Sequence, residues 1–132
     1  MSPTSHLSLV AIGLAVAAFL FAGCGVGSSP EQKVSETTDT FLRSLAAGEH
    51  DAACDQLTVG AKSQLEEPCP AAMRAIAARF DSDDLTAAAD AGVEIDLDGG
   101  QATVTIPELA DAHLTLLPSG ERWRINAGYA LG

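Results

Sequence analysis

The side chains best suited to proton transfer or nucleophilic attack are few in this chain: His50, His113, the single tyrosine Tyr129, and the cysteines Cys24, Cys54 and Cys69. Acid–base catalysis needs two titratable groups converging on one reacting atom. His50 lies in a turn between helical segments, His113 on the polar phase of a strand, and Tyr129 beyond the last strand. No converging pair results, so the expectation is a chain without catalytic residues. No Gly-x-Ser-x-Gly elbow is present either.

Two acidic groups could attract a cation. Asp81-Ser82-Asp83-Asp84 lacks the later glycine and glutamate of a calcium loop and suits a helix start instead. Glu94, Asp96 and Asp98 fall on one face of a strand and read as a solvated surface, partly balanced by Arg122 and Arg124 on the same sheet face. No His/Cys spacing fits zinc. Neither a metal nor a cofactor is expected.

The cysteines divide by position. Cys24 abuts an apolar segment, while Cys54 and Cys69 lie far downstream. In a secreted chain, three cysteines read as one pair and one residue with a separate role. The natural split is a Cys54–Cys69 disulfide and a modified Cys24, and an oxidised pair has no thiolate to act as a nucleophile.

Residues 7–23 are apolar apart from Ser8, which is slightly short for a membrane span, and no basic stop-transfer residues follow. The segment closes Leu20-Phe21-Ala22-Gly23-Cys24. Small residues directly before a cysteine resemble the bacterial lipobox, which implies a diacylglyceryl group on Cys24 and cleavage after Gly23. An uncleaved signal anchor and an ordinary secretory signal are the competing readings. The expected organisation is a lipoprotein signal peptide at 1–23, a lipidated cysteine and flexible tether at 24–29, and one domain at 30–132. The anchored domain would face outward from the bacterial cell membrane. A five-residue tether spans at most roughly 17 Å, which keeps the domain near the bilayer.

Charge limits the partners. The formal net charge is −11, and every Lys and Arg lies after residue 23. Nucleic acid is excluded because phosphate binding needs clustered cations, and docking by charge onto anionic lipid is excluded likewise. With 5% aromatic residues, the chain is also poorly equipped to stack on bases.

The elements follow from periodicity and caps. Ser29-Pro30-Glu31-Gln32 opens a helix that carries Val34, Phe41, Leu42 and Leu45 on one face and stops at Gly48. Asp51 suits the cap of a second helix through Leu57, and Thr58 that of a third through Leu65. Pro68-Cys69-Pro70 starts a fourth, with Met73, Ile76, Ala77 and Phe80 as its apolar face. Residues 81–92 read as a loop with a short Ala-rich helix. After Gly92 the period becomes two: Val93, Ile95 and Leu97, a Gly99-Gly100 turn, then Ala102, Val104 and Ile106. A second hairpin runs from His113 to Leu117 and from Arg122 to Asn126 around Pro118-Ser119-Gly120-Glu121. Helices followed by antiparallel strands give an α+β domain with helices on one face of a four-stranded sheet.

The segment Phe41-Leu42-Arg43-Ser44-Leu45-Ala46-Ala47-Gly48, the following Asp51-Ala52-Ala53-Cys54 and the closing Gly120-Glu121-Arg122-Trp123-Arg124-Ile125 resemble small actinobacterial lipoproteins of the nuclear transport factor 2-like, cystatin-like superfamily. The resemblance runs from Pro30 to about Asn126. It implies a curved sheet around the long helix, with a cone-shaped cavity between them, and a helical disulfide matching Cys54 and Cys69. Strand phase and helix face together nominate Phe41, Leu45, Ile76, Phe80, Val93, Ile95, Val104, Ile106, Leu114, Leu116, Trp123 and Ile125 as the apolar lining.

The functional expectation is a non-catalytic, lipid-anchored envelope protein that binds an envelope protein or a small apolar molecule. Its alternatives are a small enzyme of the ketosteroid-isomerase type that uses the cone, and a purely structural surface protein. An inward-facing carboxylate or histidine favours the enzyme, and an apolar cavity favours the carrier.

Overall fold

The computed structural model describes residues 28–132, so the expected signal peptide, Cys24 and the first part of the expected tether lie outside the described residues. The described chain is α+β, with helices α1 (Pro30–Ala47), α2 (His50–Cys54), α3 (Val59–Ser63), α4 (Cys69–Ala77) and α5 (Ser82–Ala91). Strands β1 (Glu94–Asp98), β2 (Gln101–Ile106), β3 (Ala112–Ser119) and β4 (Arg122–Ala127) follow, with a 3-10 turn at Pro107–Leu109.

Helix α1 opens on a capping box. The Gln32 N–H donates to the Ser29 hydroxyl, and the Ser29 N–H donates to the Gln32 side chain, both at 3.2 Å. Gly48 ends the helix at φ 74°, a left-handed conformation that glycine adopts without a Cβ clash. The buried face of α1 carries Val34, Phe41, Leu42 and Leu45, with Thr37, Thr38 and Ser44 among them. Thr38 satisfies its hydroxyl on the Val34 carbonyl at 3.0 Å.

The boundaries of the shorter helices differ from expectation. Helix α2 begins at His50 and ends at Cys54, so Asp51 sits in its first turn instead of capping it. Thr58 does cap α3, its hydroxyl accepting from the Ala61 N–H, but α3 closes at Ser63. Phe80 lies beyond the end of α4, half-buried, with the Arg79 guanidinium 5.6 Å from its ring centre. Residues 82–91 form one continuous helix rather than a loop with a short helix. Asp81 occupies its N-cap position with no side-chain cap, and the backbone carbonyl of Asp81 receives the Asp84 and Leu85 N–H groups. The arginine of α1 joins this helix to the rest: Arg43 meets Asp39 at 3.0 Å and Asp90 of α5 at 2.7 Å.

The four strands form an antiparallel meander in the order β1-β2-β3-β4. Ile95 faces Val104, which faces Leu114; Leu97 faces Ala102, which faces Leu116, which faces Ile125. Because side chains alternate across a strand, these rows share one sheet face, and α1 packs against β4 and β1 on that face. Val34, Phe41, Leu42, Val104, Ile106, Leu114, Leu116 and Ile125 are fully buried there. Each such side chain contributes roughly 1.5–3 kcal/mol of burial free energy. The second hairpin is tighter than expected, since Ser119 belongs to β3 and only Gly120 and Glu121 make the turn. Gly128 follows β4 at φ 82°, and a Cβ there would run into the His113 carbonyl, so only glycine fits so close to β3.

At Ile125 the outer edge of β4 is covered by the chain between the cysteines. Cys54 and Cys69 form a disulfide with Cα atoms 6.0 Å apart. Inside that loop, the Gln56 carbonyl accepts from the Ile125 N–H at 2.7 Å, and the Thr58 N–H donates to the Ile125 carbonyl at 2.9 Å. Leu57 thereby makes a parallel bridge to Ile125. Covering an edge in this way removes unpaired backbone groups from solvent.

Candidate polar groove at the start of helix α1

A groove of about 340 Å³ opens between the first half of α1 and the edge of β4. Its walls include Lys33, Glu36, Thr37 and Thr40 from α1, Glu121, Arg122 and Trp123 from the second hairpin, and Gln56 from the disulfide loop. Ser28, the first described residue, stands at its rim. Packing of the apolar face of α1 on the sheet leaves its polar flank toward the groove, while the strand register brings the hairpin turn alongside.

Two buried polar side chains order the groove. Thr37, 5% exposed, donates its hydroxyl to the Trp123 carbonyl at 2.7 Å. Gln56, 6% exposed, accepts from the Arg122 guanidinium at 3.1 Å and donates to the Ala52 carbonyl at 3.3 Å. Arg122 is therefore oriented by a buried neutral amide. Among the described residues, neither Lys33 nor Arg122 enters an ion pair, although Glu36 and Glu121 line the same groove.

The strand edge adds a backbone donor. Ile125 turns both its N–H and its carbonyl away from β3, toward Gln56 and Thr58. Backbone groups alternate sides along an antiparallel strand, so Trp123, two residues earlier, turns both of its groups to the same outer edge. The partner of Trp123 on β3 is Pro118, in a pair that exchanges no ladder hydrogen bonds and so suits a residue without an N–H. Thr37 takes the Trp123 carbonyl. The Trp123 N–H therefore points to that outer edge, where it meets no hydrogen-bond partner among the described residues, and Trp123 borders the groove.

A second groove, about 420 Å³, lies at the other end of α1, lined by residues 48–52 with Pro70 and Arg74. His50 is there, half-buried, beside Asp51 and Glu49. His113 is exposed on the sheet and shares a 3.0 Å hydrogen bond with Thr105. Tyr129 is half-buried after β4. The structure does not bring His50, His113 and Tyr129 together in either groove. Among the described residues, no group of three or more His, Cys, Asp or Glu side chains is placed to hold a metal ion.

The residues nominated as an apolar lining share one cluster. Phe41, Leu45, Ile76, Val104, Ile106, Leu114, Leu116, Trp123 and Ile125 are buried in it, and Phe80, Val93 and Ile95 pack partly buried against it. Trp123 alone of this set also borders the polar groove. Val59 is the one large apolar side chain left exposed among the described residues, so no apolar patch is on offer there.

Sequence reasoning passed over Thr37, Gln56 and the Trp123 backbone. A signal existed for Thr37, which sits three residues after Val34 and four before Phe41, on the apolar stripe of α1. None existed for Gln56, whose role depends on a contact with a strand more than sixty residues away.

No family model, curated protein or solved structure matches this chain.

Proposed function

We propose that this is a non-catalytic lipoprotein held at the outer face of a bacterial membrane by a diacylglyceryl group on Cys24, whose domain binds an envelope partner. The cystatin-like form of nuclear transport factor 2-like lipoproteins, with a curved sheet, belongs to the same reading. The observation that carries it is the polar groove beside Ser28, four residues from the cysteine to be lipidated. Binding site and anchor then occupy one end of the domain, within about 14 Å of each other along an extended chain.

Support for a polar envelope partner over an apolar ligand comes from the interior. Phe41, Val104, Leu114 and Ile125 are fully buried against their own neighbours, and the groove is walled mainly by charged, hydroxyl and amide side chains. Support for binding without catalysis comes from the same groove, whose lining among the described residues carries Lys33, Glu36, Glu121 and Arg122 but none of His50, His113 and Tyr129.

A photo-crosslinking residue at Thr40, on the groove wall, tests the reading in intact cells. A discrete envelope adduct that disappears in the Arg122→Gln variant is the expected result. Absence of any adduct, with the protein correctly localised, would contradict it.

A further inference from the structure

We infer that the groove at the start of α1 captures the carboxylate end of an extended peptide, which continues the free edge of β4 from the Trp123 N–H and sets its carboxylate against Arg122 and Lys33. The inference rests on the binding function proposed above and names its ligand class.

The strand edge supplies the first argument. Residues 56–58 run along β4 in parallel and pair with it only at Ile125. Beyond Gln56 the chain turns back into the region of α2, which leaves the edge at Trp123 without a neighbouring strand. Thr37 already occupies the Trp123 carbonyl, so the edge offers a donor and no acceptor. A strand-edge donor calls for a carbonyl or carboxylate oxygen, and an extended peptide presents such oxygens at strand spacing.

Charge supplies the second. A guanidinium carries five N–H donors, and among the described residues Arg122 uses one of them, on Gln56. The buried amide fixes the direction of the fork without neutralising it, which leaves Arg122 able to meet a carboxylate in two-point contact. Lys33 stands across the same groove as a second unpaired cation. Glu36 and Glu121 offset the two cations and repel a polyanion, so the directed two-point contact with Arg122, and not net charge, selects a single carboxylate. The domain's strongly negative net charge acts in the same direction.

The test is a titration of the ¹⁵N-labelled full chain in detergent micelles, read at assigned backbone amides. Three probes are compared: acetyl-trialanine with a free carboxylate, the same peptide as its C-terminal amide, and inorganic phosphate. The free peptide should shift the Trp123 amide saturably. The amide form should bind about ten-fold more weakly, and Arg122→Gln should lose about ten-fold with the Ile125 amide unmoved as a check on folding. No Trp123 response, or an equal response to the amide form, overturns the inference. A response to phosphate as strong as that to the peptide overturns the peptide assignment. So does strong exchange protection of the Trp123 N–H in the free protein, which would mean that it is already bonded. A cross-linked adduct at Thr40 alongside a failed titration would leave the binding function standing and remove this inference alone.

Discussion

The Ile125 N–H donates to the Gln56 carbonyl at 2.7 Å, and this bond ties the last strand of the sheet to the loop closed by the disulfide. One covalent link therefore acts on the sheet edge as well as on the helices it joins. Cys54 and Cys69 are 15 residues apart in sequence, and closing such a loop contributes about 3 kcal/mol by constraining the unfolded chain. In a small domain of ~5–10 kcal/mol total stability, that share is large. The paired Cys54→Ala, Cys69→Ala variant should unfold at markedly lower denaturant. Its Ile125 and Thr58 amides should exchange faster than those of β2, because the clip loosens before the sheet does. Equal protection at both places, with unchanged stability, would disprove the coupling.

The buried face of the sheet makes a second prediction. Leu114 is fully buried and faces Val104 on the inner side of the sheet. Leu114→Ala should cost about 2–5 kcal/mol, the sum of lost burial and a residual cavity. A fluorescent apolar probe should bind the native protein without saturation, and Val104→Glu should destabilise the fold instead of abolishing a binding site. Stoichiometric probe binding by the native protein, lost in Val104→Glu with stability retained, would favour the carrier reading.

Arg43 predicts an absence of pH dependence. Its hydrogen bonds to Asp90, and next to Asp39, push its guanidinium above the ordinary arginine value. A raised folded-state value stabilises below the unfolded value and is lost only as pH climbs through the folded one. For arginine that window lies in strong alkali. The pair is exposed, so salt should screen it. Arg43→Gln should shift the thermal midpoint only slightly, by the same amount across the neutral range, and less at high salt. A difference that grows between neutral and mildly alkaline pH would refute this account.

Much of the fold was legible because its determinants are local. The Ser29/Gln32 capping box, the Gly48 stop, the Thr58 cap and the strand alternation from Val93 onward are all written in neighbouring residues. Alternation also placed Val104, Leu114 and Ile125 inward, since a slip of one residue would have exposed every one of them. The errors fell where local signals compete. Asp51 looks like a cap but lies one residue inside α2, and the Ala-rich run after Asp81 carries too weak an apolar stripe to declare a full helix. The groove was illegible because its parts meet only in three dimensions: α1, residue 56 and the second hairpin are distant in sequence. Gly128 illustrates the same limit, since its closeness to His113 exists only once β3 and β4 have paired.

The central claim is that a lipid on Cys24 holds this domain at the membrane, and the mass of the native protein tests it most directly. Protein extracted from its own membrane and measured intact should lack residues 1–23 and carry a diacylglyceryl group on Cys24, with any further acyl chain adding to that mass. The Cys24→Ala variant should show neither the cleavage nor the added mass, and should leave the native location. Two acyl chains suffice for stable anchoring, at about 0.8 kcal/mol for each buried methylene. A membrane-extracted protein with an unmodified Cys24, or with residues 1–23 still attached, would contradict the account.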